Sequence, residues 1–131
     1  MASGYSTTPQ LKKLGITPGA TWDLDGEPDG WRFEVAPDAT ARSGDGSADV
    51  VVAFVRDAAS IAPTLARLER RIFPAGALWI AWPRKAAGHV SDVTDNDVRN
   101  SALARGLVDV KVAALDEHWS ALKLVWRREN R

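Results

Sequence analysis

The sequence predicts a three-layer α/β domain whose mostly parallel sheet ends in an antiparallel hairpin. Three observations carry that expectation. Two runs, "ADVVVAFV" at 48–55, apolar from Val50 onward, and "ALWIAW" at 77–82, apolar throughout, show no alternation, as expected of strands buried on both faces of a sheet. Between them Ile61, Leu65, Leu68 and Ile72 recur at spacings of four, three and four, which draws one apolar stripe along a helix. At the end of the chain, "LVDVKVAAL" at 107–115 and "SALKLVW" at 120–126 both read as strands. The short link between them, residues 116–119, requires an antiparallel pair.

Taken in order, residues 1–18 read as an N-terminal helix and turn, and residues 19–131 as the sheet core of a single domain. Thr8 can cap a helix with Pro9 at its first position, Leu11 and Leu14 fall on one face, and Gly15 suits the left-handed residue that ends it. "TPG" at 17–19 is a turn leading into a first strand at 20–24. From 27 to 48 the pattern is weakest; a short helix at 30–35 and a brief strand at 39–42 are expected, for six strands in all. Ser60 is a candidate cap for the central helix, and Pro63 is tolerable only in its first turn. "FPAG" stops that helix, and Pro83 closes the second apolar strand. Thr94 with Asp97 forms a capping box for a helix running to Gly106. On the last strand Leu122, Leu124 and Trp126 alternate with Ala121, Lys123 and Val125, so one face is the more apolar.

Composition narrows the function classes. A chain of 131 residues has the size of one domain and buries roughly two-thirds of the surface its unfolded form exposes. Lys+Arg and Asp+Glu both total 17, so no global field draws in nucleic acid or an anionic membrane, and "RREN" at 127–130 reads as a solvated end. There is no cysteine, which removes disulfides, thiolate nucleophiles and Cys-bound zinc and fits a reducing compartment. No export signal or membrane-spanning run is seen, and the cytoplasm is the expected location.

Strand, helix, strand, helix, strand and a reversed closing strand is a Rossmann-like arrangement. It resembles the class I methyltransferase fold, whose sheet ends in such a reversed strand, with the first half abridged. Four stretches also resemble a family of small bacterial proteins known as a domain of unknown function, DUF3052: "GYSTTPQLKKLGI", "ADVVVAFV", "GALWIAWPRKAAGHVSDVTDNDVR" and "GLVDVKVAALDEHWSALKLV". Arg84 stands where that resemblance leads one to expect Lys, and Ala121 where it leads one to expect Gly. The family carries no assigned activity, so the resemblance implies no catalytic residues.

In doubly wound folds, ligands bind outside the carboxyl ends of the strands. That rule selects Arg56, Trp82, Arg84, Lys85, His89, Asp116, His118 and Trp119 as candidate ligand- or partner-binding residues. The loop "WDLDGEPDGW" at 22–31 stands where a methyltransferase would place an acidic and an apolar residue followed by glycines at alternate positions. If Asp23 and Leu24 fill the first two, the glycine positions hold Asp25, Glu27 and Asp29. Their side chains block the backbone's approach to a cofactor, and carboxylates repel the cofactor's own carboxylate, so S-adenosylmethionine is not expected. A solvated acidic turn is the plain reading of the loop. In "WPRKAAGH", by contrast, Arg84 and Lys85 beside Trp82 suggest an anion-binding corner, with a solvated surface loop as the alternative. His89 and His118 with Asp92 and Asp116 match no metal-ligand signature, and neither a G-x-S-x-G elbow nor a spaced triad exists, so neither metal nor catalytic residues are expected. Of six Trp, Trp79 and Trp22 belong in the core, Trp82 and Trp119 stand at strand ends, and Trp31 could lid the opening loop. The expectation is therefore a non-catalytic Rossmann-like module that binds a partner protein or a small anionic ligand. A divergent S-adenosylmethionine-dependent methyltransferase-like enzyme and a structural homo-oligomer subunit are the alternatives.

Overall fold

The computed structural model describes residues 9–131, so the cap expected at Thr8 lies outside the described residues. Five strands form one sheet: β1 (Trp22–Asp25), β2 (Val50–Phe54), β3 (Ala77–Pro83), β4 (Leu107–Ala114) and β5 (Trp119–Trp126). Their spatial order is β1-β2-β3-β5-β4. β1 pairs with β2 and β2 with β3 in parallel, while β5 lies antiparallel between β3 and β4. Four strands therefore run in one sense, yet only two of the four pairings are parallel: "mostly parallel" holds for strand direction and not for pairing.

The two apolar runs are central because neither has a side chain to give to water. Val51, Val52, Ala53, Leu78, Trp79, Ile80 and Ala81 are all fully buried. One sheet face packs on α2 (Ile61–Leu68) and α3 (Asp95–Leu103), where Leu65, Leu68, Val98 and Ala102 meet Val51, Ile80, Leu122 and Leu124. Each such Val, Leu or Ile side chain contributes roughly 1.5–3 kcal/mol by leaving water. The opposite face is covered more thinly, by α1 (Gln10–Leu14) and the connection after β1, through Leu14, Ile16 and Phe33 on Val50, Val52 and Trp79.

Helix α1 is too short to hold itself together, and its docking explains its persistence. Gln10 Nε2 donates to the Leu115 carbonyl at 2.8 Å while its Oε1 accepts from the Glu34 N–H at 2.9 Å. Lys13 Nζ donates to the Ala114 carbonyl at 2.9 Å, and burial pulls the Lys13 ammonium below its ordinary pKa, with Glu34 opposing that shift. Gly15, at φ 82°, ends the helix as the sequence predicts.

The capping box of α3 is present in both directions, Thr94 Oγ1 accepting from Asp97 N–H and Asp97 Oδ2 from Thr94 N–H. The helix itself ends at Leu103, and a turn carries the chain to Gly106. At the start of α2 the expected cap is corrected: Ser60 caps nothing, and Asp57 Oδ1 instead accepts from the Ser60 N–H across a 3₁₀ turn, Ala58–Ser60. α2 also stops at Leu68 and continues as a 3₁₀ turn, Glu69–Ile72.

The connection from β1 to β2 differs most from expectation. No helix forms at 30–35, because Trp31 and Phe33 both turn to the core as an edge-to-face pair 5.0 Å apart, and residues two apart do not share a helix face. The strand expected at 39–42 is a 3₁₀ turn, Ala39–Ala41, capped by Asp38, with a single bridge from Arg42 to Trp22. Among the described residues the sheet therefore has five strands, not six. Among the described residues no helix is long and apolar enough to cross a membrane. At the free edge, β4 carries a bulge between Asp109 and Lys111 that interrupts the ladder, the usual way an edge is blunted against further pairing.

The turn into β3 allows no side chain at Gly76, where a Cβ would lie 2.8, 2.9 and 3.0 Å from the Ala48, Asp49 and Ile72 carbonyl oxygens. Gly76→Ala is expected to cost about 1–3 kcal/mol in urea unfolding. Gly44→Ala, at a position with open space, is the control and should change stability by less than about 0.5 kcal/mol.

Candidate functional site

At the end of β1, Asp23 and Asp25 project from one face of the strand because they are two residues apart. Arg67 and Arg71, four residues apart on α2 and its 3₁₀ extension, meet them. Asp23 is 5% exposed; its Oδ2 accepts from Arg71 Nη1 at 2.9 Å and its Oδ1 from Arg42 Nε at 2.9 Å. Arg71 also donates from Nε to the Gly46 carbonyl at 2.8 Å and from Nη2 to Ser43. Arg67 grips Asp25 with both terminal nitrogens, and Arg42 Nη2 reaches Glu27 at 3.2 Å. Hydrogen bonding to Asp23 and to Asp25 holds Arg42 and Arg67, respectively, still further into their charged forms.

This network corrects the picture of a solvated acidic turn. Two of the three carboxylates at the positions where a methyltransferase keeps glycine, Asp25 and Glu27, are bound to arginines. Gly26, at φ 71°, is required for a different reason: a Cβ there would lie 3.0 Å from the Phe54 carbonyl oxygen. The loop is thus pressed on the end of β2.

Beyond the loop a cleft of about 610 Å³ opens at the carboxyl ends of β1, β2 and β3, beside the β4–β5 hairpin. Its walls are Pro28, Trp31, Pro83 and Trp119, with Arg56, Asp29 and Asp116 as charged members. Behind its two tryptophan walls the buried Phe54 joins Trp31 and Trp119 by edge-to-face contacts, at 5.1 and 4.9 Å. Asp116 organises the hairpin side. Its Oδ2 accepts from Trp31 Nε1 at 2.9 Å and its Oδ1 from the His118 and Trp119 N–H groups at 2.8 and 3.0 Å. Arg56 lies with its guanidinium 5.7 Å from the Trp119 ring centre and donates one N–H to the Gly26 carbonyl at 3.2 Å. It is exposed, and among the described residues it forms no ion pair.

Of the eight candidate residues, Arg56, His89, Asp116, His118 and Trp119 come together around this cleft. His89 Nε2 and His118 Nδ1 are 3.1 Å apart. The other three are placed elsewhere. Trp82 is buried among the α2 and α3 side chains on the opposite sheet face. Arg84 is half-buried and donates from Nη1 to the Glu117 and Asp116 carbonyls at 3.0 and 3.4 Å, so it clamps the hairpin. Lys85 is exposed outside the cleft lining. Among the described residues no group of three or more His, Cys, Asp and Glu side chains is arranged to hold a metal ion. The arginine network escaped the sequence reading, although its signal is there: D-x-D on a strand edge and R-x-x-x-R on the following helix.

The chain belongs to the family described as a protein of unknown function (DUF3052), whose model matches residues 35–128. No curated protein matches the sequence. Two solved structures share the fold. One is a protein of the NADB-Rossmann superfamily from Streptococcus agalactiae, 12% identical with a TM-score of 0.54, the match covering 96% of this chain and 70% of that one. The other is the M1A22 tRNA methyltransferase TrmK of B. subtilis, 14% identical with a TM-score of 0.52, covering 94% of this chain and 68% of that one. At these identities the likeness is one of fold.

The two carboxylates of β1 should differ in what they contribute. Asp23→Ala strands a largely buried Arg71 and is expected to cost about 2–4 kcal/mol in urea unfolding. Asp25→Ala loses a pair whose arginine is 55% exposed and should cost less than about 1 kcal/mol.

Proposed function

We propose that this member of the DUF3052 family is a non-catalytic Rossmann-like binding module whose cleft, at the carboxyl ends of its strands, takes a small anionic ligand with an apolar body. The observation that carries the reading is Arg56, an exposed guanidinium over the Trp119 ring with no carboxylate partner among the described residues, in a cleft walled by Trp31 and Pro83. An anionic group gains charge-assisted hydrogen bonds from Arg56, and an apolar body gains the tryptophan wall. Asp116, the carboxylate on the hairpin side, already accepts three hydrogen bonds, which leaves it a scaffold and a poor general base.

A divergent methyltransferase-like enzyme is the second reading, and it draws on the shared fold. The arginine-bound carboxylates at the glycine positions weigh against it, since a cofactor would meet side chains and negative charge where the methyltransferase pattern presents bare backbone N–H groups.

The test uses the Trp31 indole N–H as a reporter in nitrogen–proton NMR spectra, while small carboxylates and phosphates with aryl or alkyl bodies are titrated in. A saturable shift at Trp31 is expected, and Arg56→Ala should weaken it about tenfold or more, the equivalent of one charge-assisted hydrogen bond. The same variant should move the unfolding midpoint by no more than a few degrees, roughly. A Trp31 signal that no anion moves, or binding indifferent to Arg56, would overturn the proposal.

A further inference from the structure

The whole chain holds two histidines and no cysteine. Although 29 residues apart, the two histidines meet at the mouth of the cleft, with His89 Nε2 and His118 Nδ1 3.1 Å from one another and the rings inclined at 71°. His89 follows Gly88, whose φ of 87° turns the post-β3 loop back toward the hairpin, and His118 sits in that hairpin with its backbone N–H on Asp116. Both rings are exposed, so burial is not what brings them together.

We infer that this pair is a two-histidine site for a divalent transition-metal ion of borderline softness, such as zinc or nickel. Imidazole nitrogens bind these ions at about 2.0–2.1 Å, and two such bonds at angles between square and tetrahedral place the nitrogens about 2.9–3.4 Å apart. The pair already has that spacing. In the free protein one ring donates its N–H to the lone pair of the other. On binding, the donating ring moves its proton to its other nitrogen through solvent, so both facing nitrogens present lone pairs and the two imidazoles stay neutral. The ion replaces the shared proton with no net proton release. With two protein ligands, water fills the remaining positions. The sequence spacing conceals the site because the ligands come from two loops rather than one helix or one knuckle. The inference extends the cleft's chemistry and stands whether or not an organic anion binds at Arg56.

Calorimetric titration of the untagged full chain with zinc chloride and with nickel chloride tests it, with magnesium chloride as the hard-ion control. Saturable one-to-one binding of zinc or nickel is expected, with none of magnesium. His89→Ala and His118→Ala should each weaken binding about tenfold or more with little change in unfolding temperature, because both side chains are exposed. Imidazole nitrogen NMR gives the second readout, and His89 Nε2 and His118 Nδ1 should be the nitrogens that shift. Absence of saturable binding, unchanged binding in the double variant, or metal-induced shifts at one ring alone would overturn the inference.

Discussion

Asp23 is a carboxylate buried at the end of an edge strand, and a carboxylate so placed must be paired. Its two partners come from opposite directions, Arg71 from the end of the α2 segment and Arg42 from the connection between β1 and β2. Together they fix that connection where no helix or strand does. Arg71 supplies donors to the Gly46 and Ser43 carbonyls, which have no regular ladder to join, and so satisfies backbone that an intact Rossmann half would satisfy with a helix. A guanidinium suits the task because its five N–H groups diverge in one plane and can serve a carboxylate and two carbonyls at once. The abridged half of the sheet thus depends on side-chain electrostatics in place of secondary structure.

The site follows from the same arrangement. Asp25 reaches back to Arg67 on α2 and Gly26 presses on the Phe54 carbonyl, so the β1 loop is tied to α2 and to the end of β2. The chain that leaves it brings Trp31 across the sheet to Asp116. That hydrogen bond joins the first strand's loop to the last hairpin, across the ends of β2 and β3, and gives the cleft its two walls. The pocket lies where a Rossmann-like sheet is expected to have one, yet its walls carry Trp31 and Trp119, and its charged members are Arg56, Asp29 and Asp116. Because the strand order β1-β2-β3 does not reverse beside β1, the hairpin takes over as the wall that closes the crevice.

The sheet was legible in the sequence because its central strands are unbroken apolar runs and its last link is too short to cross over. α3 was legible through Thr94 and Asp97, whose reciprocal hydrogen bonds are local. The 27–48 connection was not, since Trp31, Phe33 and Arg42 are placed by partners far along the chain, and local propensity carries no record of them. Among the candidate residues that the strand-end rule selected, Arg56, His89, Asp116, His118 and Trp119 lie around one cleft. The rule could not tell that Trp82 faces the opposite side of the sheet, or that Arg84 spends its donors on the hairpin carbonyls. The reach of a side chain is a tertiary fact, and strand-end position fixes only where its backbone lies.

We propose that the ion-paired carboxylates close the β1 loop to S-adenosylmethionine. Isothermal titration of the purified chain with S-adenosylmethionine tests it most directly. A loop held shut by Asp23, Asp25 and their arginines gives no saturable heat. Saturable one-to-one binding that is lost when the β1 loop is altered would contradict it.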